Sequence, residues 1–242
     1  MTLAGPKIVM EGLLLAIDAA DPKCMVAGDT TCKNLITGGL LTGASGTPGS
    51  GTHTPNSSHF FSRSTAWNTP VFYNSSYYGG MNVEEDLGAH TSISISMWIY
   101  KTTDGVAYFS DGRNNGGQWF LANYTSDNIN YTEKLTYDFD GSYDADNPNF
   151  LNRWIHMVVT SDSSGSVLYL NGVAVNTAAE VSFDEDLGKN FRIGTRYTNS
   201  YGWRGYMGPV YIYDRKISAA EAKQNFLAHR GRFDNPALLV YS

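Results

Sequence analysis

A chain of 242 residues, 42% hydrophobic and 17% charged, can bury a sizeable core but is poor in the Lys, Glu and Arg of helical bundles. Its 25 Gly, 11 Phe and 16 Tyr favour strands joined by tight turns, so one all-β domain is expected. With 17 Lys and Arg against 23 Asp and Glu, the net charge of −6 works against attraction to nucleic-acid phosphates.

Gly12 to Ile17 is the longest apolar stretch near the start and falls far short of the ~20 residues that span a bilayer. Met1 to Asp18 lacks the basic region, long apolar run and cleavage site of a secretory leader. No membrane and no nucleic-acid partner is expected, with folding in the cytoplasm of the producing cell. Gly12 to Asp18 reads as a strand, and residues 12–242 as one domain. Residues 1–11 are expected to form a separate segment that docks onto another protein. Gly38 to Gly51, with six Gly and one Pro, reads as a long surface loop.

From Ser92 to Ile99 the chain alternates. Ile93, Ile95, Met97 and Ile99 fall on one face and Ser92, Ser94, Ser96 and Trp98 on the other, the pattern of a half-buried strand. Trp154 to Thr160 is apolar at both parities and predicts a strand covered on both sides. Asp162-Ser163-Ser164-Gly165 turns the chain back into Val167 to Leu170. Asn171-Gly172 then predicts a type I′ turn, which pairs Val173 and Val175 with the preceding strand. Asp184-Glu185-Asp186 reads as a turn. Phe191 to Thr195 and Tyr206 to Tyr213 add two strands, Pro209 imposing a bulge or an edge because it has no N–H to give. Ser218-Ala219-Ala220-Glu221 is a capping box opening a short helix. Ala219, Ala222 and Phe226 mark its buried side, Gly231 suits its end, and the helix should dock across the sandwich.

The run Gly205-Tyr206-Met207-Gly208-Pro209-Val210-Tyr211-Ile212-Tyr213-Asp214-Arg215-Lys216-Ile217-Ser218-Ala219-Ala220-Glu221 resembles the closing strand and helix of laminin-G-like, concanavalin A-like jelly-roll domains. Asn152 to Thr160 followed by Leu168-Tyr169-Leu170-Asn171-Gly172-Val173 resembles that family's central hairpin. Gly12 to Lys23, Gln224-Asn225-Phe226 and Arg230-Gly231-Arg232-Phe233 look like the opening and close of the version found in virion structural proteins of tailed bacteriophages. The resemblance implies a two-sheet antiparallel jelly-roll sandwich. It further implies a virion structural protein, expected to decorate the head through the major capsid protein or another virion protein, as a homo-oligomer. The alternative is a carbohydrate-binding adhesin on the tail or a fibre.

Two departures from the family pattern stand out. Gly208-Pro209 replaces acidic residues, removing carboxylates that could orient a cation. Cys24 and Cys32 stand where the phage relatives tend to have Ser and Trp, and because both depart together they are expected to be neighbours. A disulfide between them would close a short loop and add about 2–3 kcal/mol; two reduced thiols, favoured in cytoplasm, are the alternative.

Asp138, Asp140, Asp144 and Asp146 surround Gly141 and could gather oxygens about Ca²⁺. Aligned on that glycine, however, an EF-hand loop would end at Asn147 rather than at a bidentate acid, and a solvated acidic loop is the simpler account. Trp119, Arg113 and Asn114, with Tyr197, Asn199, Tyr201 and Trp203, have the composition of carbohydrate-binding loops: ring faces for sugar C–H groups, polar side chains for hydroxyls. The competing account puts Trp119 and Trp203 in the core and the Tyr residues at a protein contact. No catalytic residues are assigned, because no Glu-x-Asp-x-x-Glu strand, phosphate loop or Gly-x-Ser-x-Gly motif occurs and the five His at 53, 59, 90, 156 and 229 lack metal spacing. The chain is expected not to be an enzyme and to need no cofactor other than the Ca²⁺ considered. Six acids between Asp127 and Asp146, against six basic residues between Trp203 and Arg232, would orient lattice contacts.

Overall fold

The computed structural model describes residues 6–43, 60–67, 69–75, 78–103, 107–111, 120–123, 129–132, 152–178, 185–187, 191–196 and 202–233. Among them the strands in chain order are β1 (Leu13–Ile17), β2 (Thr31–Lys33), β3 (Leu40–Gly43), β4 (Ser62–Ser64), β5 (Val71–Asn74) and β6 (Met81–Val83). Next come β7 (Ala89–His90), β8 (Ile93–Lys101), β9 (Ala107–Asp111), β10 (Phe120–Asn123), β11 (Ile129–Thr132) and β12 (Trp154–Asp162). The last are β13 (Gly165–Leu170), β14 (Val173–Ala178), β15 (Glu185–Asp186), β16 (Arg192–Ile193) and β17 (Gly205–Tyr213), followed by helix α1 (Ala219–Phe233).

Two antiparallel sheets result. One runs β14-β13-β12-β8-β17-β5-β4 with β1 also on β17; the other runs β11-β10-β9-β16-β6-β3-β2. Ile93, Ile95, Met97 and Ile99 of β8, Ile155, Met157 and Val159 of β12 and Val210 and Ile212 of β17 share one core with Leu41, Met81, Val83 and Ile193 of the other sheet. The all-β jelly-roll sandwich with one C-terminal helix is therefore as expected.

The first sheet is covered on its other face too. Ser94, Ser96 and Trp98 are buried, so β8 is not the half-buried strand that its alternation suggests. Helix α1 supplies the cover: Phe226 and Phe233 stack on Trp98 at 5.6 and 4.7 Å, and Ala222 joins a second cluster with Val158, Tyr211 and Tyr213. The capping box forms, with the Ser218 N–H donating to Glu221 Oε2 at 2.8 Å and the Glu221 N–H to Ser218 Oγ at 3.3 Å. Ala219 is exposed rather than part of the buried stripe. Gly231 does not end the helix, which runs on to Phe233 because that ring is held between Trp98 and Trp154.

Asn171 and Gly172 take φ of 51° and 80°, and β13 and β14 pair across them as the turn chemistry requires. At Gly208-Pro209 the register of β17 against β8 shifts, and the outer neighbour changes from β5 at Gly205–Met207 to β1 at Val210–Tyr213. Proline thus occupies the place where the ladder is interrupted.

Two expectations are corrected, and the N-terminal residues that are described make contacts within the chain. Leu40–Gly43 is a strand paired with β2 and β6 rather than part of a loop, Leu41 filling the core; residues 44–51 lie outside the described residues. Glu185–Asp186 pairs with Ala89–His90 instead of turning. Residues 7–11 rest on their own chain: the Lys7 carbonyl accepts from Gln224 Nε2, the Glu11 carbonyl from Arg215 Nε, and Val9 is buried against α1 and β17.

Candidate functional site

Antiparallel register puts directly opposed residues of neighbouring strands on one face. Tyr206 lies opposite Tyr73 of β5 and Tyr100 of β8, and Tyr100 lies opposite Trp154 of β12. A single rung of the first sheet therefore carries four aromatic side chains in a row, on the face turned away from the second sheet. Adjacent centroids are 4.8, 5.7 and 5.5 Å apart from Tyr73 through Tyr206 and Tyr100 to Trp154. Trp67, from the segment between β4 and β5, leans over them at 4.8 Å from Tyr100, 5.4 Å from Trp154 and 5.6 Å from Tyr206.

Helix α1 sets the boundary of this row. Its Phe233 ring meets Trp154 at 4.5 Å, and Trp154 is closed off while Trp67, Tyr73, Tyr100 and Tyr206 stay half-buried. Just beyond the ends of these strands, Ser75, Thr102 and Arg204 form a polar border that is exposed or half-buried. The Thr102 N–H and hydroxyl both donate to the Arg204 carbonyl, at 3.1 and 3.2 Å. The Tyr100 phenol is raised above its ordinary value by burial, with neighbouring Tyr206 adding to the effect. It stays protonated at neutral pH and can donate as well as accept. The indole N–H groups of Trp67 and Trp154 are buried without a partner among the described residues. The arrangement can bind flat, partly apolar molecules through ring faces and satisfy hydroxyl groups at its border.

Of the residues singled out in the sequence, Trp203 is corrected. It is fully buried in the inter-sheet core, its indole N–H donating to the Tyr206 carbonyl at 3.3 Å and its own carbonyl accepting from Asn74 Nδ2 at 2.7 Å, so it cannot stack on a sugar. Arg113, Asn114, Trp119, Tyr197, Asn199 and Tyr201, and the four aspartates 138, 140, 144 and 146, lie outside the described residues. Among the described residues no group of three His, Cys, Asp or Glu side chains could hold a metal ion.

Cys24 and Cys32 are neighbours, buried as free thiols. Cys32 hydrogen-bonds to Cys24, holding the Cys24 thiol below its ordinary value, while burial pushes Cys32 well up. The Asp18 N–H also points at Cys24 Sγ, at 3.4 Å.

His156 lies under the helix with Nε2 at 3.0 Å from Ser96 Oγ, and burial, aided by His229, lowers it to about 3. His229, at 2.6 Å from the Tyr211 hydroxyl, is lowered to about 4 by burial and then by Arg232. Both are neutral pieces of the helix interface. The row itself was not singled out from the sequence, although Tyr100 continues the Ser94-Ser96-Trp98 face and Tyr206 opens the closing strand.

A family model described as the concanavalin A-like lectin/glucanases superfamily matches residues 75–223. No curated protein matches the chain by sequence. Among solved structures, domain 4 of the extracellular arabinanase AbnA from Geobacillus stearothermophilus, in complex with arabinotriose, is similar with a TM-score of 0.58 at 13% identity, over 92% of this chain and 99% of that one. The Trypanosoma rangeli sialidase in complex with the inhibitor DANA gives 0.59 at 11% identity, over 93% of this chain but 35% of the sialidase. The botulinum neurotoxin serotype G binding domain gives 0.58 at 12%, over 88% of this chain and 50% of that domain.

Proposed function

Since the chain belongs to the concanavalin A-like lectin/glucanase superfamily, we propose that it is a non-catalytic display module of a tailed-phage virion. It decorates the head, anchored on the capsid shell or another virion protein, and touches glycans through the Tyr73, Tyr100, Tyr206 and Trp67 row. The observation that carries the glycan contact is this row of half-buried rings beside a polar border, on a sheet face whose middle is covered by its own helix. Support also comes from the similar arabinanase domain, which is described in complex with arabinotriose. The virion setting rests on the likeness of the opening and closing segments to phage virion proteins.

Work by binding rather than catalysis accords with the aromatic row, where among the described residues no carboxylate pair stands across a cleft as glycoside hydrolysis requires. The same aromatic row suits a tail or fibre adhesin, and copy number decides between the two. Mass spectrometry of purified virions should find the protein in hundreds of copies per particle; a few to a few tens would place it on a fibre or spike, and none would end the virion assignment. Purified protein incubated with soluble polysaccharides should release no reducing ends.

A further inference from the structure

Cys24 lies in the connection that leaves β1 of the first sheet, and Cys32 is the middle residue of β2, the last strand in the order of the second. With three residues and β3 as its strand neighbour, β2 is weakly held. The Lys33 N–H donates to the Cys24 carbonyl at 3.0 Å, which lays the two cysteine backbones side by side, and the Cys32 S–H donates to the Cys24 sulfur. Both side chains belong to the inter-sheet core, away from the outer-face aromatic row. The residues joining them, Val26 to Thr30, are all exposed, and a surface turn of this kind opens locally at low cost.

We infer that Cys24 and Cys32 are a reversible modification site, closed to a disulfide by a small-molecule disulfide such as oxidised glutathione, and that closure staples edge strand β2 to the chain leaving β1. Cys24 attacks first. The thiolate is the nucleophile, and the Cys24 sulfur accepts from the Cys32 S–H and from the Asp18 N–H at 3.4 Å, two donors that favour its negative charge. The Asp18 carboxylate opposes that charge, but Arg232 holds it at 2.6 and 2.8 Å. Cys24 loses its proton and attacks one sulfur of the small disulfide, breaking that S–S bond and expelling a thiolate that takes up the proton. Cys32 then loses its proton, attacks the Cys24 sulfur of the mixed disulfide and expels the second thiolate, which is protonated in turn. Two protein thiols are thereby oxidised by two electrons, and one small disulfide is reduced to two thiols. The new bond constrains the unfolded chain and gives β2 a covalent tie that the reduced fold lacks.

The experiment equilibrates the whole chain with glutathione buffers from reducing to oxidising, blocks the remaining thiols under denaturing conditions and cuts with trypsin. Lys23 and Lys33 bracket the pair, so the peptide Cys24–Lys33 should lose two hydrogens in oxidising buffer and regain them in reducing buffer. Oxidation should raise the melting temperature by about 5 °C or more and slow hydrogen exchange at the Lys33 amide by about tenfold or more. Cys32→Ser should stop at a glutathione adduct on Cys24, and Cys24→Ser should react more slowly than Cys32→Ser, thermal melting confirming that each still folds. Wild type alone decides the main point. Thiols left reduced in the most oxidising buffer, or adducts that never close, would overturn the modification site. A bond that forms without raising the melting temperature would overturn the staple, and faster reaction of folded Cys24→Ser would overturn the order of attack.

Discussion

Asn225 is the buried polar residue on which the helix and the N-terminal segment both depend. It is fully buried. Its Oδ1 accepts from the Val9 N–H at 2.9 Å, its Nδ2 donates to the Tyr213 hydroxyl at 2.9 Å, and that hydroxyl donates to the Val9 carbonyl at 3.2 Å. The ring of three bonds joins the segment before β1, the closing strand and α1. Asn225→Ala removes two of them and leaves the Val9 N–H buried without a partner. An orphaned buried donor costs about 1–3 kcal/mol, and the space left by the amide adds to that. The expected loss is about 2–4 kcal/mol, or about 5–15 °C in melting temperature for a chain of this size. Urea unfolding measures the stability, and hydrogen exchange at Val9 should speed up at least as much as at any other amide. In a cycle with Tyr213→Phe the two changes should be coupled by more than about 0.5 kcal/mol. Asn225→Ala within about 0.5 kcal/mol of wild type, with Val9 exchange unchanged, would refute the account.

Gly208→Ala would place a methyl 2.6 Å from Phe233 Cζ and 2.8 Å from Trp98 Cβ; crowding should cost about 1–3 kcal/mol in denaturant melts, and Phe233→Leu should relieve part of it. Acid should weaken the fold through His156. Its folded value near 3 lies below the ordinary 6.5, so its contribution is complete above pH 6.5 and is lost as pH falls toward 3. By pH 5 that amounts to about 2 kcal/mol, and the dependence of stability on pH from 6.5 to 4 should flatten in His156→Phe. Glu221 acts in a lower window. Arg215 holds it down to about 2, so its share persists above the ordinary 4.5 and fades between there and about pH 2, a slope that Glu221→Gln should remove.

What the sequence made legible was mainly what short-range chemistry decides. The alternation from Ser92 to Ile99, the apolar run of β12, the Asn171-Gly172 turn and the Ser218–Glu221 box each act within a few residues, and each stands in the fold. The corrections arise where distant partners decide. Ser96 and Trp98 look like a solvent face until α1, more than a hundred positions later, covers them. Gly39 and Gly43 make Leu40–Gly43 resemble a loop, yet β6 accepts it as a neighbour. Trp203 has loop-like neighbours in sequence, and only the placement of Asn74 and Gly194 around it shows that it points inward. The aromatic row was hidden for the same reason. Residues 73, 100, 154 and 206 are brought side by side by registers that no local pattern specifies, although every one of them sits at an outer-face parity of its strand.

The last turn of α1 does more than cover Trp98. Arg232 grips Asp18 at the end of β1 in a two-point ion pair of 2.6 and 2.8 Å, and its Nε donates to Thr69 Oγ1 at 3.2 Å. Thr69 lies two residues from Trp67, the ring that leans over the aromatic row, so the helix end ties down the segment that carries that ring. Both charged side chains are largely shielded, at 24% and 13% exposed, where a two-point pair holds geometry better than a surface contact. Paired replacement, Arg232→Met with Asp18→Asn, avoids stranding one buried charge and should cost only about 1–2 kcal/mol of stability. The Trp67 segment should loosen all the same. Fluorine-labelled tryptophan spectra, with Trp67→Phe identifying the resonance, should show the Trp67 signal broadening or moving while those of Trp98 and Trp154 stay near their wild-type positions. On an array of soluble oligosaccharides, binding shown by wild type should fall although neither changed residue lies in the row. An unmoved Trp67 signal in the folded double variant would show that Trp67 is held by its ring contacts alone and that the helix end does not position it.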